Sequence, residues 1–210
     1  MLFFSVYLGM RNKGEKDKMN RKELVKELQF HIKKGYEIGE KLGHKNIFEK
    51  AKWKEEIMGL MLGDTVFTKS TGDVKGADAT NDETGNVREY KTEELKTDKD
   101  KKRFFESVVD GTNTYAGSMT YNGGSTRKAV NSYKDIKHFH GVFYRGDVVS
   151  ITDVSTNYVT SDEGLMKRVI KEENGKEYAS TNGNCVAVHY ENGGVRKNEG
   201  KVVYLDDIRK

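Results

Sequence analysis

The 210-residue chain contains no proline and a single cysteine, Cys185. The absence of proline excludes Pro-rich linkers and polyproline ligands, and it leaves the turns to Gly, Asn and Asp. Having one cysteine excludes an internal disulfide framework and a cysteine-based zinc cluster. The expected compartment is therefore reducing and cytoplasmic. Long apolar runs are missing as well. The opening decamer MLFFSVYLGM is far short of the ~20 residues of a membrane span. It lacks the basic flank and small-residue cleavage site of a signal peptide, so no membrane partner is expected. The stretch RNKGEKDKMNRKE that follows reads as a mobile connection, which makes residues 1–18 a mobile extension with Met19 as an alternative start. A strand on a sheet edge is the competing reading of the decamer.

Charge is plentiful but unevenly placed. The net charge of +4 is distributed as 14 basic and 9 acidic residues over 1–63, 6 and 10 over 64–100, 8 and 4 over 101–150, and 9 and 10 over 151–210. An acidic segment between two basic ones suits a polyanion-binding surface around a cation-binding centre. Chance alternation of charge on solvated faces would give the same counts. With 35% hydrophobic residues in periodic groups, the chain is polar but able to form a core, and at this length it should bury roughly 70% of its unfolded surface.

Apolar periodicity organises the chain. Leu24, Leu28, Ile32 and Tyr36, four apart, predict a helix, with a break near residues 39–44 where Gly39 and Gly43 fall. A second helix is expected over residues 45–62, closed by Gly63. In its stripe of Ile47, Ala51, Met58 and Leu62, Glu55 lies inward by angle and Glu56 points about 100° further round. A carboxylate on a buried face needs a partner or a function. Short strands are expected at residues 65–67, 77–80 and 87–92, the last two joined by the turn NDETGN at 81–86. A polar turn at 69–76 precedes them. The run 93–103 reads as a loop or helix start, before a short apolar group at Phe104, Phe105, Val108 and Val109. A strand at 114–121, a helix at 125–137 capped by Ser125, strands at 138–144 and 148–154 around an Arg-Gly-Asp turn, a basic helix at 164–171, and strands at 185–190 and 201–205 complete the reading. Gly-Asn clusters at 122–124, 182–184 and 192–194 are hairpin turns. Helices followed by a strand-rich centre make an α/β or α+β chain.

The chemistry is concentrated at Asp78 and, eleven residues on, Glu89-Tyr90-Lys91. If residues 77–80 and 87–92 pair as one hairpin, Glu89 and Lys91 share a strand face and Asp78 stands opposite, while Tyr90 points into the core. Two carboxylates suit Mg²⁺, and an adjacent lysine can orient or deprotonate an attacking water. The bare acid-x-Lys pattern recurs at Asp73/Lys75, Glu94/Lys96, Asp100/Lys102, Asp135/Lys137 and Glu199/Lys201. Only the Glu89 copy combines a strand, a preceding acidic hairpin arm and an upstream helix with an inward carboxylate. An exposed cross-strand ion pair is the alternative reading.

In these residues the chain resembles the PD-(D/E)XK nuclease superfamily, and within it the small type II restriction endonucleases. The resemblance covers about residues 45–155, although Ala77 stands where the family motif has proline. It implies a restriction-endonuclease-like central mixed β-sheet flanked by helices. It divides residues 19–210, a single nuclease domain, into a helical part at 19–63, a catalytic core at 64–155 and a DNA-contacting part at 156–210. It also implies Asp78 and Glu89 as Mg²⁺ ligands, Lys91 as the catalytic lysine, and Glu55 or Glu56 as an added helix carboxylate. The function implied is Mg²⁺-dependent hydrolysis of double-stranded DNA, by a homodimer where the target is palindromic. A repair or recombination nuclease of the same superfamily, or a non-catalytic nucleic-acid-binding module, are the alternatives. His138 and His140 share a strand face as metal or phosphate ligands or as structural histidines. Lys101–Arg103, Arg127, Lys128, Lys134, Lys137 and Arg145, interleaved with Phe104, Phe105, Tyr115, Tyr121 and Tyr133, form a candidate phosphate-contacting segment. Arg168, Asn182, Asn184 and Arg196 are candidates for base reading.

Overall fold

A computed structural model of the chain describes residues 21–68, 77–121, 127–173, 176–179 and 185–209. The expected N-terminal extension, the turns at 69–76, 122–124 and 182–184, the cap Ser125, and the side chain of Arg168 lie outside the described residues. Helix α1 (Arg21–Lys41) is followed by a 3₁₀ turn (Glu49–Ala51) and helix α2 (Lys52–Leu62). Strands β1 (Asp64–Val66), β2 (Ala79–Asn81) and β3 (Val87–Glu94) lead to helix α3 (Asp98–Val108) and strand β4 (Thr114–Thr120). Then come α4 (Arg127–Asn131), β5 (Lys137–Tyr144), β6 (Asp147–Val154) and α5 (Thr156–Val159). A 3₁₀ turn (Leu165–Arg168) precedes β7 (Val169–Glu173), β8 (Lys176–Ala179), β9 (Cys185–Glu191), β10 (Gly194–Val195) and β11 (Gly200–Leu205). No described helix is long and apolar enough to cross a membrane.

The architecture is mixed α/β. A six-stranded sheet has the order β1-β2-β3-β5-β6-β11, and β10-β9-β4 and β7-β8 form smaller sheets. In the large sheet β3 and β5 are parallel and the remaining neighbours antiparallel. The connection from β3 to β5 carries α3, as a parallel crossover requires. Strand β5, KHFHGVFY, is buried from His138 to Tyr144, the continuous run of a strand covered on both faces. On one face α2 packs Met58 against Tyr90, Phe139, Phe143 and Ile151. On the other, Phe104, Phe105 and Val108 of α3 join Met119, Val186, Val188 and Tyr190 of the three-stranded sheet. Strand β9 alternates in burial, with Val186, Val188 and Tyr190 inward.

Local chemistry explains where the elements begin and end. Thr97 and Asp100 form a reciprocal capping box that starts α3, which gives the charged run at 93–103 a strand end and a helix start. Gly63 closes α2 at φ 68°, the left-handed conformation that glycine adopts without a Cβ clash. The second helix begins at Lys52 rather than near residue 45, because Ala51 is left-handed at φ 60° and a left-handed residue cannot lie within a right-handed helix. The helix expected at 164–171 is instead a 3₁₀ turn followed by β7, where Val169 and Ile170 favour a strand. The helix expected at 125–137 is helical only at Arg127–Asn131 among the described residues.

The two sheets meet where β4 crosses β3 and β5. A Cβ on Gly117 would stand 2.5 Å from His140 Cε1 and 2.9 Å from Glu93 Oε2, so only glycine permits this approach. Gly117→Ala is expected to cost about 1–3 kcal/mol by overpacking, measured as a lowered urea midpoint with an unchanged slope.

Candidate active site

The site lies beside the β2–β3 hairpin, where the β3 face that carries Glu89 and Lys91 neighbours the first turn of α2 with Lys52 and Glu55. The period of a strand puts Glu89, Lys91 and Glu93 on that face, and Arg88 and Tyr90 on the opposite one. Tyr90 is buried, as expected, and donates through its hydroxyl to Asp64. Asp64 also accepts from Arg88 Nη1 at 2.9 Å and Asn81 Nδ2 at 2.8 Å. This buried knot fixes the root of the hairpin.

Asp78 stands immediately before β2. Its backbone N–H donates to Arg88 O at 2.9 Å, and its Oδ2 accepts the Tyr90 backbone N–H at 2.8 Å. The carboxylate is thereby anchored to β3. Lys91 Nζ donates to Glu89 Oε1, while Glu89 Oε2 is buried without a hydrogen-bond partner among the described residues. Lys91 Nζ also lies 5.0 Å from the centroid of the Tyr121 ring.

The helix carboxylate is resolved by geometry. Glu55 is 9% exposed and accepts from Lys52 Nζ, which stands 4.0 Å from Asp78 Oδ1. Glu56 pairs instead with buried His44. Glu55 therefore belongs to the group around Asp78 and Glu56 does not. Lys52 escaped the sequence reading, although its signal was present: it is one helical turn before Glu55, the spacing at which side chains meet.

The electrostatics bind these residues into one unit. Burial pushes Glu89 up to about 8; Lys91 opposes the shift, while the charges of Asp78 and Glu55 add to it. Burial and the charge of Asp78 push Glu55 up to about 7, against Lys52 and Lys91. Carboxyls raised toward neutrality at a cluster of charges mark a candidate site.

The histidines are enclosed by the protein, and His140 Nε2 makes no hydrogen bond among the described residues. His138 and His140 are fully buried. His138 Nε2 lies 3.2 Å from Tyr133 O; a carbonyl only accepts, so Nε2 carries the proton and Nδ1 accepts from Tyr121 OH at 2.9 Å. Burial holds His138 in its neutral form by pushing it down to about 4. His140 Nδ1 pairs with Tyr190 OH at 2.9 Å, and its Nε2 lies 3.4 Å from Glu93 Oε2. Glu93 also accepts from Tyr115 OH and the Ser118 backbone N–H.

The expected phosphate-contacting segment divides in two. Phe104, Phe105, Tyr121 and Tyr133 are buried and Tyr115 is tied to Glu93, so these aromatics belong to the core and not to a stacking surface. Arg103 donates to Thr114 O. Arg196, a candidate for base reading, is held by Glu191 and Glu199. Lys128, Lys134 and Lys137 are exposed.

Among the described residues no group of three or more His, Cys, Asp or Glu side chains converges on one point that could hold an ion. A two-carboxylate site remains compatible with Mg²⁺, which is commonly held by one or two carboxylates plus waters and phosphate oxygens. Asp78 and Glu89 are hard oxygen donors of the kind such an ion takes, and the buried Glu89 Oε2 has no hydrogen-bond partner among the described residues. No protein-family model and no curated protein matches the chain.

The raised carboxyls also set the pH dependence of stability. A Glu near 4.5 when unfolded and about 8 when folded binds its proton more tightly in the native state. Stability is then fullest below the unfolded value and falls as pH rises toward 8. In a chelator, unfolding free energy should decline between about pH 5 and 8, by at most ~1.4 kcal/mol per pH unit for Glu89. Glu89→Gln should flatten that slope in urea titrations; an unchanged slope would show that Glu89 titrates normally.

Proposed function

We propose that the chain is a Mg²⁺-dependent endonuclease acting on double-stranded DNA, of the type II restriction kind. The observation that carries this reading is the electrostatic coupling of Glu89 and Glu55 to Asp78 and Lys91, with a carboxylate oxygen of Glu89 buried and without a hydrogen-bond partner among the described residues. Asp78 and Glu89 would hold the Mg²⁺, which supplies Lewis-acid stabilisation of charge on the scissile phosphate.

The protein's own groups do the rest. Asp78 is held in position by the Tyr90 backbone N–H, so one ligand is fixed by the sheet itself. Lys91, on the same face as Glu89, can orient a water toward the phosphate and offset negative charge there. Glu55, raised to about 7, can accept a proton from that water near neutral pH. Lys52 holds the Glu55 carboxylate toward Asp78. The exposed Lys128, Lys134 and Lys137 can carry the flanking phosphates, which position a duplex without reading it.

A non-catalytic nucleic-acid-binding module is the second reading. It is favoured by the internal pairing of both lysines, Lys91 with Glu89 and Lys52 with Glu55, which is the pattern of an ion-paired hairpin.

Incubation of unmodified plasmid with the protein and Mg²⁺ separates the readings. Defined fragments are expected, and Glu89→Ala and Lys91→Ala should each slow cleavage by at least ~10²-fold while circular dichroism stays native. Structure-dependent cutting of junctions or ends would point to the repair or recombination variant of the same chemistry. Cleavage undiminished in both variants removes the site assignment. Duplex binding without cleavage under any divalent cation leaves the binding module.

A further inference from the structure

Helix α2 begins with a lysine where a helix ordinarily favours an acid. Lys52 is its first residue, directly after the left-handed Ala51, so its ammonium lies beside the positive end of the helix dipole, an arrangement that costs free energy. The side chain is nevertheless turned inward. It is 25% exposed, against 74% for Lys102 of α3.

The carboxylates it meets explain the placement. Lys52 Nζ donates to Glu55 Oε2 and stands 4.0 Å from Asp78 Oδ1. One ammonium thus bridges two carboxylates from different elements, α2 and the residue leading into β2. Asp78 turns its other oxygen, Oδ2, to the Tyr90 backbone N–H, and Lys91 pairs with Glu89 instead. Burial and the charge of Asp78 push Glu55 up, and Lys52 is the first group to oppose them. Two carboxylates facing one point are what a divalent cation bridges in a two-metal centre. Here Nζ holds that point.

The charge count limits what else can enter. Asp78, Glu55 and Glu89, ionised as ligands must be, outnumber Lys52 and Lys91 by a single negative charge. One divalent cation reverses that sign. A second would leave three positive charges together in a part-buried site, against strong repulsion.

We propose that the Lys52 ammonium is a built-in second cation: it neutralises the Glu55–Asp78 side of the site, so the centre takes one divalent ion, at Asp78 and Glu89, instead of two. The inference rests on the proposed role of Asp78 and Glu89 as ligands and concerns the group that stands beside them.

Titration of the full chain with Mn²⁺ in the absence of DNA, followed by the paramagnetic resonance of the free ion, counts the bound ions. The wild type should bind one Mn²⁺, and Asp78→Asn should abolish it. Lys52→Met should bind two, the first at least about tenfold more tightly, and Lys52→Met/Glu55→Gln should return the count to one. Lys52→Arg, which keeps the charge, should bind one. Circular dichroism should stay native throughout, and Lys52→Gln replaces Lys52→Met where the latter does not fold. A lysine that only packs would leave the count at one and the affinity unchanged in every Lys52 variant; that result overturns the proposal while the metal-binding reading stands. A wild type that binds two Mn²⁺, both lost in Asp78→Asn, overturns it in the same way and needs no Lys52 variant. A wild type that binds no Mn²⁺ through Asp78 removes the ligand reading itself, and the proposal with it.

Discussion

The structure turns on a single constraint: β3 is an inner strand of the large sheet and carries charge on both faces. Its sequence VREYKTEE is an unlikely one for such a position, since each buried charge must find a partner or become neutral. The surrounding fold can be read as the set of partners. Arg88 meets Asp64, and Tyr90 meets the same carboxylate. Glu89 meets Lys91. Glu93 collects Tyr115, the Ser118 backbone and His140. From His140 the chain of contacts continues to Tyr190 and Thr152, so the three-stranded sheet is joined to the large one through polar groups as well as through the apolar core. Gly117 is the position that lets the two sheets come close enough for this.

Glu93 and Glu89 occupy the same face of the same strand and end in opposite states. For Glu93, burial raises the carboxyl, but the histidine contact and the hydrogen bonds from Tyr115 and Ser118 outweigh it and hold the group below the usual carboxylate range. For Glu89, burial wins: Lys91 is its one hydrogen-bonding partner among the described residues, while Asp78 and Glu55 add like charge. The difference lies in the number of donors. A fully satisfied carboxylate is a structural element, whereas one left with an orphaned oxygen among other acids is poised to take a cation or a proton. The orphaned oxygen, more than the acid-x-Lys pattern, distinguishes the Glu89 copy from the other described ones, at Glu94, Asp100, Asp135 and Glu199.

Much of the site was legible because it is local. The NDETGN turn fixed the hairpin, the strand period put Glu89 and Lys91 on one face and Tyr90 on the other, and helical angles turned Glu55 inward, although the choice between Glu55 and Glu56 needed the contacts with Asp78 and His44. The illegible parts depend on distant contacts. Nothing local announces that Ala51 turns left-handed, which moves the start of α2 by several residues. Phe104, Phe105, Tyr121 and Tyr133 sit among lysines and arginines and look like a nucleic-acid surface, yet burial claims them. His138 looks like a ligand until Tyr133 O and Tyr121 OH are seen to occupy both ring nitrogens.

Lys91 shows how an internally paired site can still open. A ligand that takes Glu89 Oε1 must displace the lysine, which needs somewhere else to place its charge. The Tyr121 ring already faces the ammonium while it is paired with Glu89, 5.0 Å from Nζ, and an aromatic face can hold an ammonium group at a gain of about 0.5–2 kcal/mol. Tyr121 is itself fixed, because its hydroxyl donates to His138 Nδ1 and that histidine stays neutral through burial. The buried histidine thus acts on the site through a tyrosine: it positions the ring beside the lysine, and the lysine stands beside the carboxylate. The same packing that makes Glu89 costly to ionise thus also sets the aromatic surface beside its counter-ion, so both features have a common origin in the covering of β3 and β5.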